Sequence, residues 1–139
     1  MNDMRPSLAK DITIIIFIFV VIVSVVLIFY TEYVKNQKIR ISKNNFYIVK
    51  EELTKEVLKC RNTNLKWFSQ ISCTQRPTKD MIDDYFNNTK KLVNPYDKKN
   101  GVDGTPGSVI INQQTKKFIL SVDIDANEGI DIYHNIYFD

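Results

Sequence analysis

The sequence predicts an α+β fold in which one long helix, apolar in its first half and amphipathic in its second, packs against a small antiparallel sheet. Three observations predict this fold. Residues 12–30 are apolar except for Thr13 and Ser24, residues 7–76 contain no glycine or proline, and all four glycines follow residue 100. With 139 residues, the chain has room for one membrane segment and one small soluble domain.

The apolar run, assigned to residues 11–31, is long enough to cross a bilayer. As a helix, residues 12–30 would extend about 28 Å, close to the thickness of the hydrocarbon layer. Sixteen of these nineteen residues are Ile, Val, Leu or Phe, so that insertion should be favourable by roughly 5–10 kcal/mol. A cleaved secretory signal would end in small residues, but this run continues as LIFYTEYVKNQ. We therefore expect a retained transmembrane helix, preceded by a short cytoplasmic segment at residues 1–10.

The helix is expected to continue beyond the membrane as an amphipathic half at residues 32–60, giving one helix over residues 7–60. Apolar residues recur there at helical spacing with charged residues between them. The stripe predicted to cover the sheet consists of Phe46, Val49, Leu53 and Val57. A bend or an interruption is expected within ISKNNF, residues 41–46, because its serine and asparagines compete for backbone hydrogen bonds.

A connector at residues 61–107 and a sheet at residues 108–139 complete the predicted domain. The connector includes a short helix over residues 80–93 and the loop NPYDKKNGVDGTPG, which is rich in turn-forming residues. The segments SVIIN, KFILSVDID and GIDIYHNIYF are predicted strands. The second and third carry apolar residues at alternate positions, and short links join all three, which predicts an antiparallel meander. Such a sheet needs a cover on its apolar face, and the amphipathic half of the helix supplies one.

The cysteines and the charged flanks give opposite indications about which side of the membrane holds the domain. Cys60 and Cys73 form an even pair that suits a disulfide in an oxidising compartment, with two reduced thiols as the alternative. Two basic residues precede the apolar run, whereas four follow it, and the richer flank usually stays cytoplasmic. The four that follow are Lys35, Lys38, Arg40 and Lys43.

The composition favours a protein without enzymatic chemistry. The net charge of +3 is spread along the chain with no basic stripe between aromatics, so nucleic acid is not expected as a partner. His134 is the sole histidine and has no cysteine or serine partner at a recognisable spacing. Because a glycine-rich phosphate loop is also missing, we expect no catalytic residues and no organic cofactor.

One acidic segment, DIDANEGIDIYH, partly follows the pattern of a calcium-binding loop. Its first, third, fifth and ninth positions are Asp123, Asp125, Asn127 and Asp131. Gly129 comes one position late, and His134 stands where the pattern needs a bidentate glutamate. The alternative is a solvated turn between two strands. Calcium binding at these four residues is therefore one of two open interpretations.

The predicted architecture resembles that of type IV pilins and pseudopilins over nearly the whole chain. The cysteine pair near the end of the long helix carries the resemblance, as does LVNPYDKKNGVDGTPGSVII, which is similar to the Asn-Pro-Tyr or Asn-Pro-Trp loop of many small bacterial pilin-like proteins. The resemblance implies a bacterial inner-membrane protein with its C-terminal domain in the periplasm or on the cell surface. It also implies filament assembly with other pilin-like subunits, in a homo- or hetero-oligomer. The assembly helix would use Ile16, Phe19, Val23, Val26 and Tyr30.

The entry to the apolar run departs from the family pattern. It reads RPSLAKDITIII, without a Gly or Ala followed by a Phe-Thr-Leu-Ile-Glu-like start. We therefore expect an uncleaved or divergent minor subunit of a filament, a pilus or a secretion machinery. The alternative is a single-pass membrane-anchored binding or scaffold domain of an envelope complex, with Val34, Ile41 and Ile48 at heptad spacing in a coiled-coil arm.

Overall fold

The computed structural model of the chain describes residues 5–63, 65–125 and 130–138, with side chains from residue 9 onward. It confirms the predicted α+β fold. The chain forms two compact units, residues 1–36 and residues 37–139. The elements in chain order are α1 (Arg5–Asn62), β1 (Lys66–Trp67), β2 (Ile71–Ser72), α2 (Lys79–Asp84), a π-helical turn (Tyr85–Thr89), β3 (Val109–Gln113), β4 (Lys117–Val122) and β5 (Ile132–Tyr137).

Helix α1 is continuous over 58 residues and begins and ends within two residues of the predicted bounds. The interruption expected within residues 41–46 is not found. Ser42 Oγ instead donates to the carbonyl oxygen of Gly107 at 2.9 Å, and Asn45 Nδ2 donates to that of Val93 at 3.0 Å. Because both side chains bond to carbonyls of distant loops, they do not compete for the carbonyls of their own helix.

The three-stranded sheet is the predicted antiparallel meander, in the order β3-β4-β5. Val109 pairs with Val122 across β3 and β4, and Leu120 pairs with His134 across β4 and β5. Every second residue of a strand lies on the same face, so one face is apolar. Its buried members are Val109, Ile111, Phe118, Leu120, Val122 and Ile136.

The second half of α1 packs on this apolar face. The predicted stripe is almost fully buried, with exposed fractions of 2 % for Phe46, 0 % for Val49, 0 % for Leu53 and 5 % for Val57. These four side chains belong to one core with the strand residues and with Ile82 and Phe86 of the connector. Burying a side chain of this size stabilises the fold by about 1.5–3 kcal/mol, so the stripe is a main source of stability for the domain.

The connector seals the end of the core near the carboxyl terminus of α1. Trp67 and Phe68 are buried, and the Trp67 ring meets the Phe118 ring edge-on at 6.3 Å. The Phe68 amide donates to Glu56 Oε2 of α1 at 2.6 Å. A disulfide between Cys60 and Cys73 ties this segment to the helix. The aromatics between the cysteines are therefore core residues.

The short helix of the connector ends earlier than predicted. The sequence pattern predicts it over residues 80–93, whereas α2 covers Lys79–Asp84 and the π-helical turn ends at Thr89. Asn87 forms a two-way bridge to the backbone of Val102: Nδ2 donates to the carbonyl at 2.7 Å, and Oδ1 accepts from the amide at 3.0 Å. This bridge fixes the turn to a loop more than ten residues away. The backbone leaves the helical range shortly afterwards, at Lys91, which has a φ of +55°.

Candidate functional site

The first candidate surface is the apolar part of α1. Every side chain from residue 12 to residue 30 is exposed. This part of α1 is long and apolar enough to cross a membrane. All five residues predicted for the assembly helix are exposed, namely Ile16, Phe19, Val23, Val26 and Tyr30.

The two polar side chains of this surface are satisfied within the helix. Thr13 Oγ1 donates to the carbonyl oxygen of Ala9, and Ser24 Oγ donates to that of Val20, each at 2.8 Å. Unsatisfied polar groups are costly in lipid, and these bonds remove that cost. The surface is therefore suited to an apolar environment along its whole length.

The shape of the apolar surface limits how it can associate with other helices. Residues 12–30 contain no glycine and no alanine, and tight pairs of membrane helices usually need such small residues at their interface. Branched and aromatic side chains instead surround this helix. Close pairwise contact is therefore disfavoured, and association would depend on a larger bundle or on contacts outside the membrane.

The second candidate surface is the NPYD loop, residues 94–107, which Asn94 organises from inside. The Asn94 side chain is fully buried. Its Nδ2 donates to Thr105 Oγ1 at 3.1 Å and to the carbonyl oxygen of Pro106 at 2.9 Å. Its Oδ1 accepts from the amide of Tyr96 at 2.9 Å. One side chain thus joins the two ends of the loop, which gives the loop a fixed shape on its exposed side.

Tyr96 anchors the NPYD loop to the segment that follows β4 and to α1. Its hydroxyl donates to the carbonyl oxygen of Ile124 at 2.6 Å, and the Lys38 ammonium lies 5.3 Å from the ring centroid. Burial raises the pKa of Tyr96 above its usual value, and the carboxylates that follow β4 add to this shift. The hydroxyl therefore stays protonated and keeps its donor role at neutral pH.

Gly107 is one of two glycines of the NPYD loop, with Gly101, at which a Cβ would overlap neighbouring atoms. It has a φ of +85°, and a Cβ there would lie 2.8 Å from Asn94 Oδ1 and would also overlap the Tyr96 ring. Gly104 has a similar φ of +90° but nothing within 4 Å of its Cβ position.

We expect Gly107→Ala to lower the free energy of unfolding by about 2 kcal/mol more than Gly104→Ala, measured by denaturant titration. Equal losses would mean that backbone strain alone matters.

The acidic segment lies at the connection between β4 and β5. The carboxylate oxygens of Asp123, Asp125 and Asp131 come within 4.8 Å of one another, while Asn127 lies outside the described residues. Asp131 Oδ2 accepts from the amide of Ile124 at 2.7 Å. The last three positions of the calcium-loop pattern lie within β5, where His134 pairs with Leu120. The structure therefore groups three of the four candidate ligands at a strand-to-strand connection, and calcium binding stays a prediction.

His134 lies on the face of the sheet that is turned towards α1. Burial lowers its pKa below the usual value, and the positive charge of Lys50 lowers it further. The neutral imidazole is thus favoured in the folded chain. The contribution of His134 to stability is complete above the unfolded pKa of about 6.5 and is lost as the pH falls below it.

This shift predicts a measurable pH dependence. Between about pH 7 and pH 5, the free energy of unfolding should fall on acidification, because the unfolded chain binds a proton at His134 more readily than the folded chain does. We expect His134→Gln to reduce this fall, as measured by denaturant titration at several pH values. If the free energy of unfolding of the variant fell with pH as steeply as that of the natural chain, the fall would not come from His134.

Sequence reasoning identified the NPYD loop but missed the helix residues that hold it. Ser42 and Asn45 are buried on the same side of α1 as the apolar stripe. Their spacing of three residues from each other, and of four from Phe46 and Val49, is the signal that could have found them. A polar residue in phase with an apolar stripe indicates an inward-facing hydrogen bond.

No protein-family model, no curated protein sequence and no solved structure matches the chain. Its class is therefore defined by architecture. A long N-terminal helix with an exposed apolar half and a half packed on a small antiparallel sheet is a pilin-like arrangement. A disulfide lies where the helix ends.

Proposed function

We propose that the protein is a minor pilin-like or pseudopilin-like structural subunit of a bacterial cell envelope. Its apolar helix would hold it in the inner membrane and would pack with the helices of other subunits in a filament or in a secretion or pilus machinery. The observation that carries this proposal is the uninterrupted helix α1, exposed and apolar over residues 12–30 and forming the core of a small domain over its second half.

The lack of small residues in the membrane segment fits a filament better than a simple dimer. In lipid, helices gain little from apolarity alone, and their association needs close packing, polar contacts or help from attached domains. The described domain is a compact unit with its own core. Contacts between such domains would bring bulky helices together in a bundle that they would not form as isolated pairs.

The disulfide supports a domain on the exported side of the membrane. Disulfides persist in the periplasm and on cell surfaces and are rare in the cytosol. The bond between Cys60 and Cys73 joins the end of α1 to the connector. The proposed location of the domain is therefore the periplasm or the cell surface.

A single-pass anchored scaffold domain is the alternative, and one observation weighs against its coiled-coil arm. The expected seam consists of Val34, Ile41 and Ile48. Ile48 is partly buried and packs against the core of its own domain, so it is not fully available to a partner helix. The two remaining positions are fewer than a coiled coil requires.

Photo-crosslinking in cells of the native organism tests the proposal. A photoreactive amino acid would replace Phe19 or Val23 in the full-length chain, and the same amino acid at Leu65, which is exposed on the domain, would serve as the control. We expect the helix positions to give a ladder of adducts with further copies or with other small envelope subunits, and these adducts should appear in the sheared surface fraction. An anchored scaffold would give no ladder. Lipid adducts alone from both helix positions would contradict helix-mediated assembly.

A further inference from the structure

A group of basic side chains follows the apolar run of α1, and one acidic residue, Glu32, lies between the run and this group. Residues 33–50 contain no aspartate and no glutamate. The basic residues closest to the apolar run in the domain unit are Lys38, Arg40 and Lys43, and we call these three the basic band. Lys35 lies just before them in the sequence.

The basic band has no ion-pair partner in the part of the chain that the structure describes. Further along the chain, Lys55, Lys59, Lys79 and Lys90 each lie within 4.0 Å of a carboxylate. Arg40 and Lys43 are exposed on the same side of α1 as Tyr47. Contacts within the domain therefore do not account for Arg40 and Lys43, and the charge of these two residues is available to another molecule.

The members of the basic band lie on two sides of α1. With about 100° per residue, Arg40 and Lys43 lie roughly 200° and 140° around the helix axis from Lys38, so these two are about 60° apart on one side. Lys38 lies over the Tyr96 ring. Arg40 and Lys43 are therefore the members of the band that are open to a ligand.

The basic band follows the apolar run closely in the sequence. Lys38 comes eight residues after Tyr30 and Lys43 comes thirteen residues after it. Basic residues that follow a membrane segment this closely are attracted to acidic lipid headgroups. Long basic side chains also reach back towards the membrane surface.

We propose that the basic band binds the headgroups of acidic phospholipids. This inference rests on the membrane anchoring that the proposed function includes, but not on filament assembly. The contributions of the three residues differ. Lys38 lies beside Tyr96, whose surroundings include the carboxylates of Asp123 and Asp131. Arg40 and Lys43 point away from Lys38 and should contribute more to the binding of acidic headgroups than Lys38 does.

Spin-labelled lipids in vesicles that contain the full-length chain test this inference. The vesicles would consist of phosphatidylcholine with a trace of spin-labelled phosphatidylglycerol or spin-labelled phosphatidylcholine, and the spectra give the fraction of each probe held next to the protein. We expect a preference for phosphatidylglycerol, since each basic residue near an acidic surface contributes up to about fivefold. Arg40→Gln with Lys43→Gln should lower the preference at least threefold, and high salt should weaken it in the natural chain.

The matched control is Arg61→Gln with Lys66→Gln. Both side chains are exposed near the other end of the helical half in the domain, and the change in charge is the same. The control should keep the preference of the natural chain. Equal preferences in both double variants would overturn the inference.

Flotation of the chain with vesicles of phosphatidylcholine alone separates this failure from a failure of anchoring. A chain that floats with neutral vesicles but shows no preference overturns the lipid site and leaves the anchoring intact. A chain that does not float overturns both.

Discussion

Leu53→Asp is expected to unfold the soluble domain. Leu53 is fully buried at the centre of the stripe that α1 packs on the sheet. An aspartate there would lose the apolar contacts and would place a carboxylate among apolar side chains without a partner. We expect a loss of about 4 kcal/mol or more in the free energy of unfolding, which is a large part of the stability of a small domain. Near-ultraviolet circular dichroism of the full-length chain in detergent, with a thermal scan, measures this loss.

Leu58→Asp provides the control on the same helix. The Leu58 side chain is 46 % exposed and lies outside the core, so the same substitution should change the free energy of unfolding by only about 0.5 kcal/mol. Both variants alter the helix propensity of α1 in the same way. If the two variants unfolded alike, the loss would come from the helix itself, and the packing of α1 on the sheet would be wrong.

The second large effect is expected from the disulfide. Cys60 and Cys73 are separated by 13 positions, and a crosslink that closes a loop of this size stabilises a fold by about 3 kcal/mol. We expect Cys60→Ala with Cys73→Ala to lower the free energy of unfolding by that amount. Denaturant titration of the full-length chain in detergent measures the loss.

Reduction of the natural chain is the matching comparison for the double cysteine variant. A reducing agent should lower the stability of the natural chain towards that of the variant, and it should leave the variant unchanged. A natural chain that is equally stable with and without reductant would show that the crosslink does not constrain the domain. Loss of stability in the variant on reduction would point to an effect unrelated to the cysteines.

The fold was largely predictable from the sequence because two periodicities carry most of it. Phe46, Val49, Leu53 and Val57 repeat at helical spacing, and Phe118, Leu120 and Val122 repeat at strand spacing. Residues 7–76 contain no glycine or proline to end the helix. These local signals predicted the bounds of α1 within two residues and the antiparallel meander.

The details that sequence reasoning missed depend on contacts between distant residues. Ser42 bonds to a carbonyl 65 residues away and Asn45 to one 48 residues away. A local rule that treats serine and asparagine as helix breakers therefore predicted an interruption that the continuous helix does not have. The bonds from Asn87 to Val102, which hold the turn after the connector helix, likewise join distant residues. The shape of the NPYD loop likewise follows from the burial of Asn94, which no periodicity predicts.

The state of the protein in the cell envelope is the most direct test of the central claim, an anchored subunit with its domain on the exported side. Membranes of the native organism would be isolated, the thiols alkylated with and without prior reduction, and the intact mass of the chain measured. The account predicts a membrane-bound chain in which Cys60 and Cys73 react with the alkylating agent only after reduction. A chain that takes up two alkyl groups without reduction would place the domain in the cytoplasm and contradict the account.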